Sequence, residues 1–202
     1  MTRTLVIETA TAACSVALIE GGAVIDERHE LVGRGHAERL VPMIAELADE
    51  GRATLILVDC GPGSFTGVRV GLAAARALAL GWSADVRGFS SLALIAAGIE
   101  ADGPVIATAI TGGHGEIFVQ RHGSDLQPID EMVSLTPDVA AQRIGEHRIF
   151  GSGAAALVAA RGRGEACEAW PRAADAVRLP PALAALAPSP LYGRAPDARL
   201  PA

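Results

Sequence analysis

The segment that most closely resembles a chemical motif is a glycine-rich run, which lies between two apolar stretches. It follows apolar residues 55–58 and precedes an alanine-rich stretch over residues 66–80. This order predicts a strand, a tight turn and the start of a helix. Such a junction either points backbone N–H groups at a phosphate or lets a strand and a helix pack closely. Both alternatives stay open for its candidate residues, which are Gly61, Gly63, Ser64, Thr66 and Gly67.

The spacing within this run argues against the common nucleotide motifs. Gly67 lies one residue too far along for the dinucleotide pattern G-x-G-x-x-G, and no Gly-Lys-Ser/Thr follows to make a Walker loop. The sequence contains no lysine at all. Mechanisms that need a Schiff-base lysine, a lysine base or a P-loop lysine are therefore excluded.

A second set of candidates lies near the predicted strand ends. Thr9, Thr11 and Ser15 fall in and after the first hairpin turn, where hydroxyl groups can wrap a phosphate. The alternative is an ordinary turn rich in serine and threonine. For Glu8 and Thr111 we favour a structural role at a strand end over catalysis, since Thr111 cannot bind a cation as a carboxylate does.

Histidine and cysteine residues do not form a recognisable catalytic or metal motif. His114 and Glu116 could pair as a general base, but the sequence shows no nucleophile to accompany them. No pair of histidines has zinc-ligand spacing, so we expect no metal and no catalytic residue. A peptidase would need a reactive Cys14 or Cys60, and neither has an identifiable histidine partner.

Composition indicates a soluble globular protein of the cytoplasm. Of the 202 residues half are apolar, the formal net charge is −6 and aromatic residues are scarce. This balance argues against a surface that grips RNA without help, because such surfaces combine basic stripes with aromatic platforms. The three cysteines have no C-x-x-C spacing, and no secretory leader or long apolar span is evident, so we expect a reducing cytosol and no membrane contact.

Hydrophobic periodicity predicts the elements that must position these residues. In the first half we expect strands over residues 4–8, 14–20, 23–31, 54–59 and 86–89, and helices over residues 36–50, 66–80 and 90–99. In the second half we expect strands over residues 105–110, 116–121, 129–133 and 148–150, and helices over residues 137–145 and 154–161. A short helix is expected over residues 182–187.

The order βββαβα thus occurs twice, which indicates a weak internal duplication in an α/β protein. Residues 101–104 are typical of a boundary. We therefore predict an N-terminal lobe over residues 1–100, and a smaller, divergent C-terminal lobe and tail over residues 101–202.

Several segments together resemble the TsaB family. These are residues 7–11, 14–18, 36–40, the glycine-rich run and residues 88–92, with a weaker similarity to the family's closing Pro-x-Tyr-x-Arg segment at residues 190–197. The resemblance implies a two-lobed actin/hexokinase/Hsp70-like (ribonuclease H-like) fold. It also implies a pseudo-enzyme, the dimerisation subunit of the bacterial machinery that makes threonylcarbamoyladenosine in tRNA. The link over residues 49–54 is shorter than expected for this family.

The resemblance further implies the partners. They would be the transferase TsaD in a heterodimer, the small ATPase TsaE, a second copy of the chain when it is alone, and tRNA only through the complex. No cofactor would be tightly bound, and ATP would be used by the assembled complex. Residues 90–95 lack the His-x-x-x-His of the related transferase.

TsaB proteins are understood to pair through helices of the first lobe, and the matching helices here have apolar stripes that could serve. Because a stripe facing a partner and one facing the core share the same spacing, some of these residues should cover their own sheet. The alternatives are an active phosphotransferase of the same fold and a homodimeric structural protein. The predicted interface consists of Leu40, Met43, Ile44, Leu47, Val68, Arg69, Leu72 and Arg76.

Overall fold

The first lobe is a five-stranded mixed sheet with its helices, seen in a computed structural model that describes residues 2–100 and 102–191. The strand order is β3-β2-β1-β4-β5, with β1, β2 and β3 antiparallel and β1, β4 and β5 parallel. The strands are β1 (Arg3–Glu8), β2 (Ala13–Glu20), β3 (Ala23–Leu31), β4 (Leu55–Asp59) and β5 (Asp85–Phe89), and the helices are α1 (His36–Ala45), α2 (Phe65–Trp82) and α3 (Ser91–Gly98).

The second lobe repeats this arrangement. Its sheet has the order β10-β9-β6-β7-β8, which, read from its opposite edge, is the first sheet's order with each strand replaced by the one five places later. The two-lobed, duplicated α/β fold predicted from the sequence is therefore confirmed. The elements are β6 (Val105–Thr111), β7 (Ile117–Gly123), β8 (Val133–Leu135), α4 (Pro137–Arg143), β9 (Arg148–Phe150), α5 (Ala154–Arg161) and β10 (Glu165–Cys167), and the sequence patterns missed β10.

Helix α3 is the central layer of the molecule. Every residue from Ser91 to Ala97 is buried, because one side of the helix packs on the first sheet and the other packs on β6 and β7 of the second. A helix that is apolar all round is expected in such a doubly covered position. On the far side of the first sheet, α1 and α2 enclose a separate core that includes Leu5, Ile7 and Val58.

The C-terminal segment returns to the first lobe after β10. Here the Ala173 N–H donates to Ser15 Oγ at 2.9 Å, and Gly88 and Leu186 exchange two backbone hydrogen bonds of 2.7 and 3.0 Å. A 3₁₀ helix (Ala173–Arg178) lies in this segment and packs on the first sheet. Residues 173–186 therefore pack with the first lobe, which corrects their assignment to the second, whereas the division near residue 100 stays a prediction.

Two predicted helices differ from the observed ones. Helix α1 ends at Ala45, and a 3₁₀ turn (Ala48–Gly51) replaces the rest of the predicted helix because Asp49, Glu50 and Gly51 all have positive φ. Residues 181–184 form a turn rather than a helix. Most of the predicted closing segment at 190–197 lies outside the described residues.

Candidate functional site

In the glycine-rich loop, glycines allow close packing against the β1–β2 turn. The Ser64 N–H donates to the Ala10 carbonyl oxygen at 2.6 Å, and the Gly67 N–H donates to Ser64 Oγ at 3.2 Å. A Cβ atom at Gly67 would lie 2.1 Å from the Thr9 carbonyl oxygen, and one at Gly63 would lie 2.1 Å from that of Ala10. Two of the N–H groups expected to cradle a phosphate, those of Ser64 and Gly67, are therefore used within the protein. Thr66 is exposed, and Gly61 adopts a positive φ of 94°.

The predicted phosphate-binding hydroxyls are also used internally. Thr9 Oγ1 donates to the Gly67 carbonyl oxygen at 2.8 Å, and Ser15 Oγ accepts from Ala173. Both side chains are fully buried, so the prediction that they face a phosphate is corrected. Thr11 does line the space between the lobes, although its Oγ1 accepts a bond from the Ala13 N–H at 3.2 Å.

A cavity of about 1020 Å³ separates the two lobes. Its first-lobe wall includes Arg34, Ser64 and Phe65, its second-lobe wall includes Phe118, and Trp170 and Leu191 of the C-terminal segment complete it. Among the described residues this is the place where a small ligand would fit, since such sites are concave and mostly apolar.

The polar groups on the second-lobe wall bind one another. Thr111 Oγ1 donates to the Ser152 carbonyl oxygen at 3.0 Å, and the Thr111 N–H donates to Ser152 Oγ at 3.1 Å. Glu116 accepts a hydrogen bond from Ser134 Oγ at 2.6 Å, and His114 lies in an exposed turn with a φ of 58°. Glu116 is thus engaged by a serine rather than by His114, and Thr111 has the structural role predicted for it.

Two carboxyl groups meet in the interior at the ends of parallel strands. Because Ile7 on β1 pairs with Val58 on β4, the residues that follow them, Glu8 and Asp59, lie side by side. Glu8 Oε1 accepts from the Ala10 N–H at 2.8 Å, while Asp59 Oδ1 accepts from the Gly61 N–H at 2.7 Å and from Ser91 Oγ.

Both carboxyl groups are fully buried and neither lines the cavity. Burial, together with repulsion from Asp59, raises the pKa of Glu8 well above its usual range, and burial raises the pKa of Asp59. Asp59 is not among the site residues predicted from the sequence. A usable signal was present, since two apolar strands that become parallel neighbours each end in an acidic residue.

The predicted interface residues divide into a buried group and an exposed group. Six apolar members are at most 5% exposed and form the core under α1 and α2, so the structure corrects their assignment to a partner surface. Arg69 stacks on the Phe65 ring with its guanidinium carbon 3.3 Å from the ring centroid, and exposed Arg76 donates to the Pro188 carbonyl oxygen at 2.9 Å. The six buried residues are Leu40, Met43, Ile44, Leu47, Val68 and Leu72.

A different face of the same two helices is apolar and exposed. Leu80 is 87% exposed at the end of α2, Val41 is 58% exposed on α1, and Phe65 is 69% exposed at the start of α2. Ala73 and Ala77 lie between them on the outer side of α2 and are also exposed. We call Val41, Ala73, Ala77 and Leu80 the outer helix face, whereas Phe65 belongs to the cavity wall. In the sequence, this exposed face is visible as a second helical stripe at positions 73, 77 and 80, which is offset from the buried stripe.

Cys14 and Cys60 are buried thiols inside the first lobe. Burial raises the pKa of Cys14 to about 12 and that of Cys60 to about 11, so both thiols are held neutral. Within residues 2–100 and 102–191, no group of three or more His, Cys, Asp or Glu side chains could hold a metal ion. In the same part of the chain, the helices are too short or too polar to cross a bilayer.

Comparison with known sequences identifies relatives across both lobes. A family model described as "TsaD: tRNA N6-adenosine threonylcarbamoyltransferase" matches residues 25–160. The Escherichia coli K12 protein named "tRNA threonylcarbamoyladenosine biosynthesis protein TsaB" is 34% identical over 166 residues, or 75% of this chain and 71% of that protein. The Haemophilus influenzae protein of the same name is 42% identical over 99 residues, or 46% of this chain and 41% of that protein.

Solved structures have the same fold. A Pseudomonas aeruginosa protein described as similar to peptidase YEAZ superposes with a TM-score of 0.80 at 26% identity, covering 96% of this chain and all of the other. YeaZ from Pseudomonas aeruginosa gives a TM-score of 0.74 at 28% identity, covering 88% of this chain and 90% of the other. Because the Escherichia coli relative matches 75% of this chain at 34% identity, the chain belongs to the TsaB family.

Proposed function

We propose that this protein acts in the biosynthesis of threonylcarbamoyladenosine in tRNA as a non-catalytic scaffold that binds the transferase TsaD. Relatives named for that biosynthesis share 34% and 42% identity with the chain over the matched residues. The observation that carries the structural part of the proposal is the outer helix face, where Leu80 and Val41 are 87% and 58% exposed. Exposed apolar side chains on paired helices favour a protein partner.

The arrangement of polar groups supports a role without catalysis. A catalytic site needs a base or nucleophile that faces the bound substrate. Here Glu8 is buried away from the cavity, Thr9 bonds a backbone carbonyl group, and Glu116 accepts from Ser134. Glu8 and Thr9 are thus held in the interior, and one Glu116 oxygen is already bonded.

Similarity to TsaD supports the choice of partner. The TsaD family model matches a range that contains both α1 and α2, so the partner should carry helices of the same lengths and spacing. Two related pairs of helices can pack about an approximate two-fold axis in a shared four-helix arrangement. Alanines at positions 73 and 77 would let the helices approach closely. A second copy of the chain offers the same surface, and we propose it as the weaker partner.

The other partners follow from the charge balance. With a net charge of −6 and few aromatic residues, the chain is poorly suited to hold RNA without help, so we propose that tRNA is bound through the complex. ATP and the ATPase TsaE belong, in this proposal, to the assembled machinery in the cytoplasm, and no cofactor is tightly bound to this chain.

Light scattering after size-exclusion chromatography tests the proposal directly. The chain would be run alone and with the TsaD of the same organism, as wild type and as Leu80→Glu and Ala73→Glu. Both positions are exposed, so the variants should fold while a buried charge at the interface blocks the heterodimer. Val139→Glu on α4 is the matched control, since Val139 is 47% exposed on the other lobe and should leave the heterodimer intact. A heterodimer that forms equally well with all three variants contradicts the proposed interface, and the absence of any wild-type complex contradicts the proposed partner.

The cavity of about 1020 Å³ favours one alternative, a nucleotide-dependent phosphotransferase. That activity requires affinity of the isolated chain for ATP, which equilibrium dialysis measures. Because the loop N–H groups of Ser64 and Gly67 are already bonded within the protein, we expect no retention of ATP. Retention together with phosphate transfer would replace the scaffold proposal.

A further inference from the structure

The Glu8 and Asp59 carboxyl groups leave two buried oxygen atoms without partners. Glu8 Oε1 and Asp59 Oδ1 are hydrogen-bonded as described, but Glu8 Oε2 and Asp59 Oδ2 have none and are inaccessible to solvent. An unpaired buried oxygen is costly, and two ionised carboxylates held side by side are costlier still. The parallel register of β1 and β4 holds them there, so the chain cannot relieve the repulsion by turning one side chain to water.

We infer that Glu8 and Asp59 share one proton, which fastens the ends of β1 and β4 together and makes the first lobe sensitive to pH. A proton carried by one carboxyl and donated to the other would satisfy both unpartnered oxygens, and it leaves one negative charge on the pair rather than two. The raised pKa of each carboxyl agrees with the retention of a proton near neutral pH. This inference does not depend on the proposed scaffold function.

The surroundings supply no competing way to neutralise the pair. The bonds and charges that act on it come from Ala10, Gly61 and Ser91 and from the two carboxyls themselves. Cys14 on β2 and Cys60 after β4 are kept neutral by their own raised pKa values. Phe89 on β5, the neighbour of Asp59, is apolar.

Charged groups on the elements that pack against β1 are engaged elsewhere. The 3₁₀ helix next to β1 carries Asp175 and Arg178. The charges of Arg178, Arg172 and Glu27 act on Asp175, and Arg178 donates to the Ala97 carbonyl oxygen. On the opposite face of the sheet, α2 carries Arg69 and Arg76, which bond the carbonyl groups of Phe65 and Pro188. A proton is therefore the neutralising group that fits.

The position of the pair gives the proton a structural consequence. Through their bonded oxygens the two carboxyls hold the β1–β2 turn at Ala10, the glycine-rich loop at Gly61 and the start of α3 at Ser91. The β1–β2 turn forms part of the cavity wall, and the glycine-rich loop leads into α2. Loss of the proton creates two adjacent buried anions, and relieving their repulsion requires these segments to move apart. Deprotonation should thus loosen the region that shapes the cavity and carries the outer helix face.

Infrared spectroscopy of the full chain tests whether the proton is present. Wild type at about pH 7 should show the carbonyl band of a protonated carboxyl group, since free carboxyls are ionised there. Asp59→Asn and Glu8→Gln should each abolish the band, because an amide N–H then donates to the remaining carboxylate. Asp175→Asn is the matched control, since burial raises the pKa of this carboxyl too. Absence of the band in wild type, or its loss only in Asp175→Asn, overturns the inference.

Thermal unfolding tests the consequence. The wild-type melting temperature should fall as pH rises from about 6 to about 9, because the folded chain holds a proton that the unfolded chain has released. The melting temperatures of Asp59→Asn and Glu8→Gln should depend less on pH and should equal or exceed that of wild type at the alkaline end. Parallel curves for all three proteins contradict the inference. If either variant fails to fold the other supplies the comparison, and the wild-type infrared spectrum decides if neither folds.

Discussion

Two glycines of the same helix, Gly67 and Gly81, should respond to the same substitution with opposite signs. A Cβ atom at Gly67 would lie 2.1 Å from the Thr9 carbonyl oxygen, whereas one at Gly81 meets nothing within 4 Å. Gly67→Ala should therefore lower the free energy of unfolding by about 2–3 kcal/mol, because the strand-to-helix contact must open. Gly81→Ala should raise it by about 0.5–1 kcal/mol, because alanine favours a helix.

Urea unfolding followed by circular dichroism measures both changes. Equal effects at the two positions would show that the glycine-rich loop is not closely packed against the β1–β2 turn. In that case its N–H groups would again be candidates for binding a phosphate.

His122 on β7 should make the protein sensitive to acid. The side chain is fully buried, both ring nitrogens lack partners, and burial lowers its pKa to about 4. Between its ordinary pKa of about 6.5 and this value, the unfolded chain binds more protons than the folded one, so stability falls as pH falls. Wild type should lose on the order of 2–3 kcal/mol more than His122→Leu across this range. Urea titrations at several pH values measure the difference, and an equal loss in both proteins would contradict it.

At the scale of elements, hydrophobic periodicity predicted most of the helices and strands, but it did not predict which helix residues lie on the surface. Helix α5 and strand β9 have the predicted limits because short apolar segments end at glycines. The interface prediction failed at Leu40 and Leu72 because a core stripe and a partner stripe share one spacing. Asp59 was missed because the pairing of β1 with β4 joins residues that are distant in sequence.

The link between α1 and β4 contains a strained residue that a single substitution should relieve. Glu50 is exposed and has a φ of 55°, a conformation that costs an L-residue with a Cβ atom about 1 kcal/mol or more. Glu50→Gly removes that cost but adds freedom to the unfolded chain, so we expect a net gain of about 0.5 kcal/mol in the free energy of unfolding.

Gly51→Ala is the control for this link. Its Cβ atom would lie 2.9 Å from Ile44 Cγ2 at a φ of +69°, so stability should fall by about 1 kcal/mol or more. Denaturant titrations of the two variants should move in opposite directions. A loss of stability in Glu50→Gly would show that its side chain, rather than the turn geometry, supports the link.

For the whole molecule, the duplicated order of elements could be predicted, but the way the chain closes on itself could not. The order βββαβα repeats along the sequence, so it is visible locally. The return of the C-terminal segment depends on contacts such as that of Ala173 with Ser15, which lie in different halves of the chain. The interlobe cavity could not be predicted from the sequence either, because Trp170 and Leu191 of this segment form part of its wall.

Because the C-terminal segment packs back on the first lobe, we predict that the two lobes unfold together. Helix α3 packs on both sheets, and Leu179 of the C-terminal segment is buried against the first one, so neither lobe can open without exposing apolar surface on the other. The two tryptophans report separately: Trp82 ends α2, and Trp170 faces the cavity. Trp170→Phe keeps only Trp82, and Trp82→Phe keeps only Trp170. The urea midpoints from the fluorescence of the two variants should therefore coincide, once the change in stability caused by each substitution has been measured by circular dichroism and subtracted.

Leu179→Ala should lower the free energy of unfolding by about 2–4 kcal/mol, because it leaves a cavity against the first sheet. Both urea midpoints should therefore fall together. Val177→Ala is the matched control, since Val177 is 41% exposed in the same segment and its loss should cost under about 0.5 kcal/mol. If Leu179→Ala shifts the Trp170 transition to lower urea while the Trp82 transition stays in place, the C-terminal segment opens independently. The lobes would then be held together without the segment, through contacts such as those of α3. The segment's contacts with Ser15 and Gly88 would be an addition to a first lobe that is stable without them.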